Sequence, residues 1–281
     1  MTVTGKARIA GVMGWPIAHS RSPLIHGHWL ARYGVDGAYV PFAVRPEHGA
    51  DAFRALAKLG FAGTNVTLPH KLTAFQTVDR RDAAAEAIGA VNTVVVEADG
   101  SLSGSNTDAP GLMAHLIASA PDWRAEAAPA AVLGAGGSTR AAIFALLAAG
   151  SPEIRLSNRT GAKAEALAAA FGPKVTVVDW AERAAMLDGA GLLLNTTSLG
   201  MTGQPPLEID LTALPKAAVV YDIVYVPLET GLLAAARARG NLAVDGLGML
   251  LHQAAPGFAA WFGVAPAVDD ALRAVILKDL K

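Results

Sequence analysis

The chain has 281 residues, 52% of them apolar and 17% charged, enough to bury a sizeable core in one large domain or two ordinary ones. A formal net charge of −1 gives no electrostatic basis for binding nucleic acid or an anionic membrane, and the absence of cysteine excludes disulfides, thiolate zinc sites and a cysteine nucleophile. Met1–Ala10 carries no apolar signal core, and no apolar run reaches the ~18 residues of a membrane span, so a soluble, cytoplasmic protein is expected.

Arg8–Met13 reads as a first strand ending in the breaker cluster Gly14-Trp15-Pro16. Ser22 suits an N-cap and Pro23 a first helical position, for a helix that runs to Tyr33 and stops at Gly34. Ala38–Val44 is a second strand and Pro46–Leu59 a second helix. Phe61–Thr67 is a third strand, after which Pro69-His70-Lys71 opens another helix. This alternation predicts a parallel α/β sheet. Asp82–Ile88 is a short helix, and Val91–Glu97 with Leu102–Ser105 form a hairpin across Ala98–Ser101. Asn106–Pro110 opens a helix to about Ala118, and the Pro-containing stretch 121–129 is a loop.

Beyond that loop the alternation restarts, with strands at Ala131–Leu133, Ile154–Leu156, Val175–Val178, Gly191–Leu194, Val219–Ile223 and Leu242–Val244. Six strands separated by helical stretches fit a complete doubly wound dinucleotide domain. The tail, Leu247–Lys281, is helical and rich in aromatics, with no sheet partner of its own.

The first of those strands runs into Gly134-Ala135-Gly136-Gly137-Ser138-Thr139-Arg140 and then a helix. Glycines there let the backbone approach a pyrophosphate, and the helix N-terminus offers free N–H groups. The third glycine of the general fingerprint is missing, with Thr139 in its place, and the same stretch also reads as an ordinary turn that needs positive φ at a glycine. At the tip of the next strand, an NAD site places a carboxylate about 20 residues on. Here stand Ser157-Asn158-Arg159-Thr160 and then Lys163, two cations set against the helix dipole and suited to a 2′-phosphate, so NADP is expected over NAD. The polar loop Asn195–Met201 follows the fourth strand of this half, at a carboxyl end of the sheet where cofactors lie.

Delivery of a proton to a carbonyl oxygen requires a Lys, His, Tyr or carboxylic acid when no metal cluster is evident. Lys71 is the candidate: it falls in the first turn of a helix, where an ammonium is unfavourable by ~0.3–1 kcal/mol. Asp108 is a possible partner and equally a possible helix cap, and periodicity does not bring the two together. His19, His26 and His28 cluster without an acidic ligand, so no metal is expected there.

Seven stretches, in order, resemble the shikimate dehydrogenase family across nearly the whole chain: Gly14–Pro23, Gly63–Lys71, Gly89–Thr93, Gly104–Asp108, the glycine turn, Asn158–Thr160 and Asp245–Gln253. The resemblance implies reversible NADPH-dependent reduction of 3-dehydroshikimate to shikimate in chorismate and aromatic amino-acid biosynthesis. It implies an α/β fold of two domains: a substrate domain, residues 1–109 completed by C-terminal helices of 246–281, and a Rossmann-like NADP domain, residues 110–245. Lys71 and Asp108 match the catalytic pair. Ser20 and Ser22 match hydroxyls that hold the substrate carboxylate, and Thr67, Asn92, Tyr225 and Gln253 further substrate contacts, with Asn65 less clearly a direct one. Gly134, Gly136, Gly137, Ser138, Asn158, Arg159, Thr160, Lys163, Thr196, Gly246 and Met249 match the cofactor site. Gly27, Ala109 and Val226 depart from the family's usual Asn, Gly and Asn. The competing readings are a quinate/shikimate or aminoshikimate dehydrogenase of the same superfamily and a non-catalytic NADP-binding regulator. Small molecules are the expected partners, of a monomer or homodimer.

Overall fold

The computed structural model describes residues 3–280, so Met1, Thr2 and the terminal Lys281 of the expected helical tail lie outside the described residues. The chain divides into two compact units. One runs up to Asp108 and takes in the chain again from Leu251, and the other is Ala109–Leu250. Ala109 and Gly246–Leu250 therefore belong to the second unit, not the first as expected. The reason is packing: Met249 lies in the same apolar cluster as Leu112, Ile143 and Tyr221 of that unit. Among the described residues no helix is long and apolar enough to cross a membrane.

The first unit holds six strands: β1 (Arg8–Gly14), β2 (Gly37–Ala43), β3 (Gly63–Val66), β4 (Arg80–Arg81), β5 (Thr93–Val96) and β6 (Leu102–Ser105), ordered β2-β1-β3-β5-β6-β4. β1 pairs parallel with β2 and β3, but β3–β5 and β5–β6 are antiparallel. The sheet is thus mixed: β1, β2 and β3 carry the parallel pairing that the alternation predicts, and the expected hairpin β5–β6 adds antiparallel strands. The Ala98–Ser101 turn is too short for a crossover and forces the antiparallel hairpin, which then pairs with β3. Helix α1 (Ser22–Tyr33) starts one residue earlier than its capping signal predicts: the N-cap is Arg21, with no side-chain cap bond, and Ser22 is the first helical residue. α2 (Gly49–Lys58) is preceded by a single 3₁₀ turn, Pro46–His48, so the expected helix is split there. α3 (Lys71–Thr77) and α4 (Ala83–Ile88, capped by Asp82) complete the first stretch.

One side of this sheet packs Met13, Phe53, Leu56, Val66, Val78, Val94 and Leu102. An aromatic group occupies another part of the unit: His26 is fully buried, its ring stacked 3.8 Å over Tyr39 and flanked by Trp29, Phe258 and Trp261. Burial pushes its pKa down to about 3, so the imidazole is neutral. The cluster His19, His26 and His28 therefore includes one core histidine. The indole N–H of Trp261 donates to Val94 O at 3.0 Å, and a side chain at Gly63 (φ +151°) would collide with that indole. Long-range contacts of this kind hold the aromatic tail helices α9 (Leu247–Phe262) and α10 (Asp270–Asp279), because Trp29 also reaches Ala267 O at 2.9 Å.

The second unit begins within α5 (Asp108–Ser119) and is built on six strands: β7 (Ala130–Leu133), β8 (Ile154–Ser157), β9 (Val175–Val177), β10 (Leu192–Asn195), β11 (Val219–Asp222) and β12 (Leu242–Val244). All are parallel, in the order β12-β11-β10-β7-β8-β9. Read from β9, this is the doubly wound dinucleotide order. Both faces are covered, and successive residues alternate between them as the strand period demands. Ala130 and Val132 of β7 face the cluster with Leu112 and Leu146, whereas Ala131 and Leu133 face the cluster with Leu187 and Leu233. The crossovers run through α6 (Gly137–Ala148), α7 (Gly161–Phe171) and α8 (Gly231–Arg239).

Candidate functional site

In the first unit the chain brings together residues far apart in sequence. The Lys71 ammonium donates to Asp108 Oδ2 at 2.8 Å, and Asn92 Nδ2 donates to Asp108 Oδ1 at 2.8 Å. Asp108 is the first residue of α5, yet its carboxylate is not committed to capping: the two oxygens go to Lys71 and Asn92. The Asp108 N–H is taken instead by Asn106 Oδ1 at 3.1 Å. The two side chains are 30% and 13% exposed respectively, so the ammonium is open on one side while the carboxylate is largely enclosed.

Asn92 is itself held. Its Oδ1 accepts from Thr107 N (2.9 Å), Thr107 Oγ1 (3.1 Å) and Thr93 Oγ1 (3.1 Å), leaving its amide in one orientation. Asn65 supports the same network by donating to Thr93 Oγ1 at 3.1 Å and accepting from the Tyr39 hydroxyl at 2.6 Å. Val91 N donates to Lys71 O, which ties the start of α3 to the segment before β5. Thr93, Asn106 and Thr107 are the residues that sequence reasoning passed over. The signal available was two buried polar runs, Asn92-Thr93 and Asn106-Thr107, flanking strand ends.

Ser22 N donates to Ser20 Oγ at 3.3 Å, so these serines share one turn at the start of α1. Thr67 follows β3, with its N–H on Met13 O. Gln253 lies on α9 within the first unit, whereas Tyr225 falls in the second, just beyond β11. A side chain at Gly27 would meet nothing, while Ala109 is buried.

The second unit presents the glycine turn. Gly134 has φ +121°, and a Cβ there would lie 2.5 Å from Thr196 Oγ1, so both backbone angle and space require glycine. Gly136 and Gly137 would meet nothing and are exposed, leaving the N-terminus of α6 open. Thr139 explains the absent third glycine. It is fully buried and forms a relay in which Gly136 N–H donates to Thr139 Oγ1 (3.0 Å). The Thr139 hydroxyl pairs with Thr196 Oγ1 (2.7 Å), which donates to Leu133 O (2.6 Å). A hydroxyl chain pins the turn where a glycine would only have allowed close packing.

Arg159 and Lys163 stand exposed at the tip of β8 and the first turn of α7, and neither enters an ion pair among the described residues. Glu153 is taken by Arg155 at 3.0 Å and does not compete. Asn158 Nδ2 donates to Thr160 O at 2.9 Å, shaping the same tip. Asp222, another residue sequence reasoning missed, accepts from Asn195 Nδ2 (2.9 Å), Val224 N (3.1 Å) and Thr230 Oγ1 (2.7 Å). It ties together the ends of β10 and β11, with burial raising its pKa.

A tight turn that admits no Cβ at Gly134, an open helix N-terminus and two cations outside any ion pair among the described residues together fit a phosphorylated dinucleotide. The family model of the shikimate dehydrogenase substrate binding domain matches residues 12–94, and that of the shikimate 5'-dehydrogenase C-terminal domain matches residues 246–276. A relative from Paramagnetospirillum magneticum named shikimate dehydrogenase (NADP(+)) is 60% identical over 275 residues, covering 98% of this chain and 100% of the relative. The chain belongs to the shikimate dehydrogenase family. Among solved structures, shikimate 5-dehydrogenase from Thermus thermophilus in complex with NADP(H) and shikimate is 36% identical, with a TM-score of 0.85 over 96% of this chain and 99% of that one. Quinate dehydrogenase from Corynebacterium glutamicum in complex with NAD is 30% identical, with a TM-score of 0.89 over 97% and 99%. The shikimate dehydrogenase architecture is thus shared with an enzyme named for quinate, so the fold alone does not select substrate or cofactor and the side chains must.

Proposed function

We infer that the chain catalyses the reversible NADP-dependent interconversion of 3-dehydroshikimate and shikimate, with Lys71 and Asp108 as its acid–base pair. The observation that carries this reading is the Lys71–Asp108–Asn92 cluster, an open ammonium held by an enclosed and rigidly oriented carboxylate. NADP, when bound, supplies hydride exchange at the substrate carbon. Lys71 does the complementary proton work, giving a proton to the carbonyl oxygen during reduction and taking it from the hydroxyl during oxidation. Asp108 holds the Lys71 Nζ in place. Asn92 fixes the Asp108 rotamer.

Ser20 and Ser22 are assigned to the substrate carboxylate, since neutral hydroxyls orient an anion without a buried cation. Thr67, Asn92, Tyr225 and Gln253 are assigned to the ring hydroxyls. Gly134, Gly136, Gly137 and Ser138 at the start of α6 would hold the pyrophosphate, with Thr196 supporting the turn through Thr139. Asn158, Arg159, Thr160 and Lys163 would hold the 2′-phosphate, and Gly246 and Met249 would lie along the nicotinamide end. The domain roles follow: substrate on the first unit, NADP on the second. A cytoplasmic monomer or homodimer completes the reading, and the near-zero net charge supports free small molecules, rather than nucleic acid or an anionic membrane, as its partners.

The test is a rate comparison of shikimate and quinate, each with NADP and with NAD, following reduced nicotinamide by absorbance. The expected outcome is a strong preference for shikimate with NADP. Faster turnover of quinate would replace the substrate assignment, equal rates with NAD would remove the role given to Arg159, and no turnover of any pair would leave a non-catalytic NADP-binding regulator.

A further inference from the structure

We propose that His115 is a positioning residue for the cofactor segment Gly246–Met249, braced between β11 and the start of α9. His115 lies on α5 among the buried residues of its apolar face, beside Leu112 and Leu116. Its Nδ1 sits 2.9 Å from the Tyr221 hydroxyl, and the two rings meet nearly edge-on, 5.4 Å apart at 74°. Tyr221 is wholly buried on β11, and burial together with the charge of Asp245 pushes its phenol pKa up, so the hydroxyl stays neutral. A buried hydroxyl needs a partner, and the imidazole provides one where an aliphatic side chain would not.

The other edge of the imidazole lies against Gly248. A Cβ built at Gly248 would fall 2.0 Å from His115 Cδ2 and 2.1 Å from Nε2. The flat ring therefore fills the space down to the α9 backbone, and only glycine lets the two approach so closely. The same segment is also confined at its start. Gly246 N donates to Val224 O at 3.2 Å, and a Cβ on Gly246 would fall 2.0 Å from Ile223 O. Asp245 Oδ1 accepts from Leu247 N at 3.0 Å, and Met249 is buried in the same cluster as Tyr221. Gly246–Met249 is thus wedged between the exit of β11 and the His115 ring. The ring sets how far the start of α9 stands from the sheet, and so where Gly246 and Met249 present themselves.

This inference rests on the assignment of Gly246 and Met249 to NADP. The experiment measures the NADP dissociation constant and both Michaelis constants for His115→Ala, Gly248→Ala, their combination and Gly246→Ala. His115→Ala and Gly248→Ala are each expected to weaken NADP about tenfold while the shikimate KM stays within about twofold. In the combined variant the methyl occupies space the ring has left, so its loss is expected to be no greater than that of His115→Ala alone. NADP affinity unchanged in His115→Ala, losses that multiply in the combined variant, or a shikimate KM that rises in proportion would each overturn the brace. Should His115→Ala fail to fold, His115→Asn keeps a hydrogen-bonding atom for Tyr221 while withdrawing the ring from Gly248, and the same NADP-specific loss is expected. Gly246→Ala separates the two levels. If it weakens NADP while the His115 and Gly248 variants do not, the brace is wrong. If it leaves NADP affinity intact, the cofactor assignment of the segment is wrong.

Discussion

Replacing Lys71 with alanine separates chemistry from stability in this protein. In the folded state the substitution removes one charge-assisted hydrogen bond of 2.8 Å to Asp108. Such a bond is worth roughly 1.5–3 kcal/mol when well enclosed. With the lysine side chain 30% exposed, screening reduces this to about 1–2 kcal/mol. For a chain of 281 residues, with an unfolding entropy of about 0.6 kcal/mol/K, that corresponds to a Tm lower by roughly 2–4 °C. Asp108 remains held by Asn92 through Oδ1, so the surrounding network has no reason to collapse. Loss of the acid–base group is expected to lower kcat by about 10²–10⁴, roughly 3–5 kcal/mol in the barrier, with a smaller change in KM. The assay pairs steady-state turnover of shikimate and NADP with thermal denaturation of the same preparations. A fall in kcat of less than about tenfold would refute the acid–base role. A fall matched by global unfolding at the assay temperature would make Lys71 structural instead.

Asp108→Asn keeps the shape but puts an amide N–H₂ against either the Lys71 ammonium or the Asn92 amide, so kcat should fall by about 10²-fold or more with the fold retained, as circular dichroism would check. Arg159→Ala should raise the KM for NADP by roughly tenfold or more while leaving that for NAD unaffected, and an unchanged NADP value would remove the 2′-phosphate assignment. Gly134→Ala should abolish NADP binding in a calorimetric titration and cost about 1–3 kcal/mol of stability, because φ is +121° and the new methyl meets Thr196 Oγ1. His26 predicts a pH dependence of stability. Its folded pKa, about 3, lies below the ordinary 6.5, so below pH 6.5 the unfolded chain takes up a proton that the native ring refuses. Stability should therefore fall as pH drops from 6.5 towards 3, approaching ~1.4 kcal/mol per unit from this residue. His26→Phe should flatten that limb in denaturant titrations across the same range.

Local chemistry alone makes much of the second unit legible. A strand, a glycine turn and a helix start constrain one another over a dozen neighbouring residues. β7, Gly134 and α6 can thus be located from the order of apolar, glycine and helix-forming residues alone. Arg159 and Lys163 are legible for the same reason, since a cation facing the wrong end of a helix dipole is visible without tertiary contacts. Three features are not legible in this way. Helix–strand alternation does not distinguish a parallel from a mixed sheet, and only the pairing of β5 with β3 settles it. Thr139 stands as a missing glycine until the fold places Thr196, 57 residues on, beside its hydroxyl. Lys71 and Asp108, 37 residues apart, are joined in sequence only by family resemblance. Their contact depends on the ends of β3, β5 and β6 converging, and that convergence is a property of strand pairing rather than of any local period. Periodicity carries information over one or two turns of chain. A lysine–carboxylate pair, a hydroxyl relay and a ring packed on a glycine are decided by which distant backbones the core brings together.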